Sequence, residues 1–188
     1  MKIRIATPKD SAALIAIYAP YVTNTTISFE YEVPSIEEFA ERIENTLEKY
    51  PYLVLEENDE IIGYAYAGAY NKRTAYDWSC EISIYIRQDN QSHGAGTILY
   101  LVLEDILKQQ HITTIVSCIT EGNQKSEIFH QKHDFKKVAL FNNIGYKFDK
   151  WHHVIWMQKN LISETQTVQP FQQFTPSFFQ KSIDTFRR

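Results

Sequence analysis

A chain of 188 residues with 44% apolar side chains is long enough for one domain with a sizeable core and too apolar for a disordered chain. Its 19 basic against 23 acidic residues give a net charge of −4, without the concentrated basic face that a counterion-releasing grip on nucleic acid requires. The N-terminus, MKIRIATPKD, has no signal-peptide apolar stretch, and no window reaches the ~18 apolar residues that span a bilayer, so neither a nucleic-acid nor a membrane partner is expected and a cytoplasmic location is.

Residues 2–6 alternate as a short strand, and Thr7-Pro8-Lys9-Asp10 supplies an N-cap hydroxyl, a proline and a first-turn acid for a helix running to about Tyr21. Ser35-Ile36-Glu37-Glu38 reads as a capping box. Ile36, Phe39, Ile43 and Leu47 carry that second helix to near Tyr50. Tyr52 to Leu55 and Ile61 to Tyr70 form the two arms of an antiparallel hairpin around a polar turn. Glu81 to Ile86 alternates cleanly, with Ile82, Ile84 and Ile86 on one side and Glu81, Ser83 and Tyr85 on the other. A helix from the glycine-containing loop to near Gln110 and a strand Thr113 to Ile119 make a parallel crossover. A short helix near Asn123 and strands at about Lys136 to Tyr146 and His152 to Lys159 close the domain. Cys80 and Cys118 both fall in apolar runs, the pattern of buried thiols in a reducing compartment. From Leu161 the composition turns to Gln, Ser, Thr and Pro with five phenylalanines, which divides the chain into a domain at 1–161 and a tail at 162–188 that docks on the body or on a second copy.

The loop Gln91-Ser92-His93-Gly94-Ala95-Gly96 spends two of only six glycines between a strand and a helix. Backbone without Cβ atoms lets N–H groups approach an anion, and the following helix adds unsatisfied amides and the positive end of its dipole, so phosphate is the natural guest. A tight turn needing positive φ is the alternative. A Walker loop is excluded because Gly-Lys-Ser/Thr is absent, and a dinucleotide fingerprint lacks its third glycine where Leu99 stands.

Gln91-x-x-Gly94-x-Gly96, with this order of elements, resembles the Gcn5-related N-acetyltransferase (GNAT) superfamily. From about Ile3 to Leu161 the chain is similar to its phosphinothricin and methionine sulfoximine branch, through Ala75-Tyr76-Asp77-Trp78, Glu81, Tyr85, Gly145-Tyr146-Lys147 and Trp151-His152. The resemblance implies an α/β (α+β) fold, a mixed and mostly antiparallel sheet with one splayed parallel strand pair, flanked by helices. It implies an enzyme that moves acetyl from acetyl-CoA to a small-molecule amine, and a homodimer. By similarity Glu81 takes the ammonium proton, and Glu81, Ile82 and Ser83 line the acceptor site. The main chain of Ile84, Tyr85 and Ile86 meets the pantetheine, and Ser92, His93, Gly94, Ala95, Gly96 and Thr97 surround the phosphates. Asn123 is a pantetheine contact or a plain N-cap. His130 is a general acid for the departing thiolate, with an ordinary pKa of ~6.5, or a helix-surface histidine.

The same resemblance puts acceptor contacts at Asn71, Lys72 and Arg73, where an arginine suits a carboxylate or phosphinate; solvated loop charges are the alternative. An acidic amino acid ranks first as acceptor and a peptide N-terminus second, beside a non-catalytic CoA-binding module. No metal is expected. His130 and His133 are three apart on a helix, but no third ligand is evident and His152 and His153 point to opposite strand faces. Relatives usually end the helix of His130 with Leu-Gly-Phe/Tyr; here His133-Asp134-Phe135 puts an aspartate where positive φ is required, at a modest stability cost.

Overall fold

The computed structural model describes residues 1–89, 94–162 and 167–186. In chain order the elements are β1 (Lys2–Ile5), α1 (Ser11–Asn24), α2 (Ile36–Leu47), β2 (Tyr52–Glu57), β3 (Glu60–Ala69), β4 (Ser79–Ile86), α3 (Ala95–Gln109), β5 (Thr114–Thr120), α4 (Gln124–Lys132), β6 (Lys136–Lys147), β7 (Lys150–Asn160) and α5 (Pro176–Phe186). The strands form one sheet in the order β1-β2-β3-β4-β5-β7-β6, in which only β4 and β5 run parallel. The mixed sheet with one parallel pair is the architecture expected above.

Strand alternation splits the core in two. On one face Tyr52, Val54 and Tyr64 pack against Leu14, Ile17 and Val22 of α1 and Phe39 and Ile43 of α2. On the other, Leu53, Leu55, Ala65 and Ile82 pack against Leu99, Leu103 and Ile106 of α3.

Local signals explain most boundaries. The reciprocal capping box forms at Thr7, whose N–H donates to Asp10 Oδ2 at 2.7 Å, around a single 3-10 turn at Pro8–Asp10. At Ser35 only half of it forms: Ser35 Oγ accepts from Glu38 N at 3.1 Å, while the Glu38 carboxylate is drawn to Arg42, 2.6 Å away. Helix α1 outlasts its expected end at Tyr21, passing through Pro20 to Asn24, because Val22 is buried in the core and holds the last turn.

Both α3 and α4 end in Schellman motifs. After α4 the Phe135 N–H reaches His130 O at 3.0 Å and the Asp134 N–H reaches Gln131 O at 3.1 Å, with Asp134 at φ 67°. The aspartate therefore occupies the left-handed position anticipated from the sequence. Asp134→Gly is expected to stabilise the fold by about 0.5–1 kcal/mol, the left-handed penalty less the extra chain entropy of glycine. A thermal melt checks this, and an unchanged or lower Tm would contradict it.

The segment after residue 166 is docked on the body. Trp78 Nε1 donates to Gln169 O at 2.6 Å, Gln110 Nε2 to Gln172 O at 2.9 Å, and Gln109 Nε2 to Ser182 Oγ at 2.9 Å. Phe174 and Ile183 join the α3-side core. Burying such side chains contributes ~1.5–3 kcal/mol each, which a polar-rich composition conceals when only the letters are read.

Candidate active site

The parallel pair is short. Ser79, Cys80 and Glu81 pair with Thr114, Ile115 and Val116, and there the ladder stops, although β4 continues to Ile86 beside β3 and β5 to Thr120 beside β7. Tyr21 of α1 donates its hydroxyl to Ile86 O at 2.5 Å, so the far end of β4 is held without β5. The result is a fork opening from Glu81 and Val116.

A cleft of about 700 Å³ fills the fork, within the ~300–1,000 Å³ typical of small-molecule sites. Its floor and sides come from both faces of the sheet: Ile82 to Gln88 of β4 and its extension, Ser117 to Thr120 of β5, Tyr21 and Ile27 beyond one face, and Asn123, Ser126, Phe129 and His130 beyond the other. Ile82, Ser83, Ile84, Tyr85 and Ile86 thus all line the opening.

Helix α3 begins beside it. Gly94 is its N-cap at φ 93°, a conformation that strains any residue with a side chain, and Gly96 in the first turn lines the cleft. Among the described residues Gly94 brings no capping side chain and the first turn carries no acid, so nothing there opposes an anion at the positive end of the dipole. Ala95 is fully buried and Thr97 lies in the same turn. Gln91, Ser92 and His93 lie outside the described residues.

Glu81, the last residue of β4 paired with β5, stands at the apex of the fork opposite Gly68 of β3, one residue before the cleft lining begins at Ile82. Alternation places its side chain with Ser83 and Tyr85 on the α1/α2 face. Burial pushes its carboxyl pKa up, and among the described residues no cation offsets it. A carboxylate so placed is a proton acceptor with its basicity raised toward neutral pH.

His130 on α4 is 6% exposed and lines the opposite wall. Its Nδ1 donates to Ser126 O at 2.8 Å, and burial lowers its pKa below the usual histidine value. At neutral pH the ring is therefore uncharged and Nε2 is an acceptor, so it donates a proton only after taking one up. Asn123 is the N-cap of α4, its Oδ1 accepting from Ser126 N at 3.3 Å, and its residue also lines the cleft.

The acceptor-side letters lie apart from the cleft lining. Asn71, Lys72 and Arg73 are exposed in the segment between β3 and a 3-10 turn at Thr74–Tyr76, with Asn71 Oδ1 accepting from Arg73 N at 3.2 Å. They do lie at the Glu81 end of the sheet, since β3 enters this segment just past the residue opposite Glu81. Cys80 is buried as expected, but Cys118 is exposed and lines the fork: the loss of pairing beyond Val116 uncovers that face of β5. Burial of the sulfur and the nearby Glu81 push its thiol up to about 11, so it is a poor nucleophile. Among the described residues no cluster of three or more His, Cys, Asp or Glu is placed to hold a metal. Sequence reasoning missed Tyr21, Ile27, Ser117 and Phe129, which carry no local signal because each reaches the fork only through tertiary packing.

A splayed parallel pair, a helix started by a glycine at positive φ and a half-buried carboxylate at the apex together point to an acyl-CoA-dependent acyltransferase. The family model of the acetyltransferase (GNAT) domain matches residues 3–156, and the chain belongs to that family. It is similar to phosphinothricin N-acetyltransferase of Streptomyces viridochromogenes, 31% identical over 160 residues, covering 85% of this chain and 87% of that one. The L-methionine sulfoximine/L-methionine sulfone acetyltransferase of Pseudomonas aeruginosa is 30% identical over 161 residues, covering 85% and 94%. A solved phosphinothricin acetyltransferase from Sinorhizobium meliloti, in complex with AcCoA, superposes with a TM-score of 0.84 at 30% identity, covering 93% of this chain and 95% of that one. The protein is an acetyl-CoA-dependent N-acetyltransferase.

Proposed function

We propose that the enzyme acetylates the α-amine of small glutamate-like amino acids of the phosphinothricin or methionine sulfoximine type. The observation that carries this reading is Glu81, a half-buried carboxylate without a counter-charge at the apex of a fork that opens through the sheet. Two relatives are named for those substrates. Acetyl-CoA, when bound, supplies the activated thioester. Gly94, Ala95, Gly96 and Thr97, with Ser92 and His93, hold the phosphates, and Asn123 with the main chain of Ile84, Tyr85 and Ile86 orients the arm. Glu81 removes the proton from the acceptor's ammonium, with Ile82 and Ser83 beside it. His130 takes a proton from solvent at Nε2 and gives it to the thiolate sulfur as the C–S bond breaks. Asn71, Lys72 and Arg73 receive the acceptor's acidic groups.

The test is thiol release from acetyl-CoA with phosphinothricin, methionine sulfoximine and a short peptide. Saturable turnover of the amino acids is expected, with Arg73→Ala raising their KM about tenfold, the loss of a charge-assisted contact. Turnover of the peptide alone would transfer the reading to peptide N-termini, and binding of CoA without turnover of any amine would make the protein a CoA-binding module.

The same reading includes a homodimer. Val138, Ile144 and Tyr146 of β6 and Trp151 of β7 are 54%, 57%, 44% and 60% exposed, an apolar face at one edge of the sheet suited to a second copy. Sedimentation is expected to give twice the chain mass, and the mass of a single chain for Ile144→Glu/Trp151→Glu; a wild-type monomer would refute it.

A further inference from the structure

Helix α1 ends without the left-handed residue that closes α3 and α4; Thr25, which follows it, is extended at φ −139°. Its orphan carbonyls are met from elsewhere. Tyr21 O accepts from Thr25 Oγ1 at 2.6 Å, and Val22 O accepts from Lys147 Nζ at 2.6 Å, from a strand 125 residues further along the chain. The same ammonium donates to Ser28 O at 2.6 Å. Lys147 is 2% exposed, and among the described residues it makes no ion pair. Burying a cation without a carboxylate is costly, and a methionine of similar length would fill the space without that cost. The negative end of the α1 dipole and two charge-assisted bonds offset the desolvation, so the charge is retained for what it holds in place.

It holds one wall of the fork. Residues 25–31 leave α1 and cross toward the β6–β7 hairpin, and Ile27 lines the cleft. Thr26 O accepts from Thr120 Oγ1 of β5 at 2.6 Å, and the Tyr31 hydroxyl donates to Tyr146 O. This wall stands on the α1/α2 face, toward which Glu81 points. The glycine-started helix and His130 stand on the other.

We propose that Lys147 is a positioning residue for the acceptor side of the fork: by tying the end of α1 to Ser28 it fixes residues 25–31 as the wall against which the amine is presented to Glu81. The proposal rests on the acetyl-transfer reading for its kinetic consequence but not for its structural one. Lys147→Met leaves the carbonyls of Val22 and Ser28 without their donor, whereas Lys147→Arg keeps a donor and a charge.

Hydrogen exchange at residues 25–31, read on unliganded protein, is expected to quicken at least tenfold in Lys147→Met and to recover in part in Lys147→Arg. In the thiol-release assay the acceptor KM is expected to rise at least tenfold in Lys147→Met, while the calorimetric Kd for CoA changes less than twofold. Unchanged exchange in folded Lys147→Met, or equal losses in acceptor KM and CoA affinity, would overturn the proposal. If wild type turns over none of the amines, the acetyl-transfer reading fails while the exchange result still decides the role of Lys147. Should Lys147→Met not fold, Lys147→Gln, which removes the charge and keeps an amide donor, is expected to loosen the same residues to a lesser degree, and unchanged exchange there would equally overturn the proposal.

Discussion

Glu81→Gln is expected to lower kcat by roughly 10²–10⁴-fold, the usual contribution of a positioned general base, while leaving CoA affinity unchanged. The amide keeps the shape and removes the proton-accepting lone pair at the apex of the fork. The same substitution is expected to raise Tm at pH 7–8. Burial raises the carboxyl pKa in the folded chain above its unfolded value, so folding favours the protonated form. The stability this group contributes is fully present below the unfolded pKa of about 4.3 and is lost as pH rises through the folded value. Glutamine imitates the neutral form, so the Tm advantage should vanish below about pH 4 and open above the raised pKa. In wild type, kcat/KM should fall as pH drops through that raised pKa, and this acid limb should be missing from the residual activity of the variant. Retention of more than a tenth of kcat, or a lower Tm at pH 8, would remove Glu81 from the role assigned to it.

Gly145→Ala is expected to destabilise the fold by about 1–3 kcal/mol, the range for overpacked sites, or roughly 3–10 °C in Tm for a chain of this length. A Cβ at Gly145 would stand 2.1 Å from Cε2 and 2.6 Å from Cζ of Phe29, so the ring must leave its place against β6. Phe29 belongs to the segment that Lys147 holds, and its ring also lies 6.0 Å from that of His152. Phe29→Ala should therefore absorb most of the cost: in that background Gly145→Ala is expected to be nearly neutral, a coupling that a double-mutant cycle measures. Additive losses would mean that the ring swings aside freely and does not set the spacing between the wall and the hairpin.

The letters carried the elements well wherever a local rule governed them. The alternation of Glu81 to Ile86 anticipated which side chains share a face, and of the two readings of the glycine loop the turn at positive φ is the one seen at Gly94. Aspartate at position 134 was legible as a left-handed residue because helix closure depends on only a few neighbouring backbone groups. The reading weakened where a side chain had two possible partners. Glu38 matched a capping box by spacing, yet an arginine one turn away draws its carboxylate more strongly than the Ser35 amide does. Cys118 sat in an apolar run and was expected inside, but its exposure depends on where β4 and β5 stop pairing, which no window of sequence encodes. The phenylalanine-rich tail had an undetermined berth until Phe174 and Ile183 were seen in the core.

By itself, then, the sequence determined the family, the order of elements and the face that Glu81 shares with Ser83 and Tyr85, because each is written in spacings of a few residues. Tertiary structure alone decided where β4 and β5 part, that burial lowers the basicity of His130, and that Lys147 closes α1 from across the molecule. Those features depend on burial and on partners more than a hundred residues apart, and desolvation, which sets both the raised basicity of Glu81 and the lowered basicity of His130, exists only once the chain has packed around them.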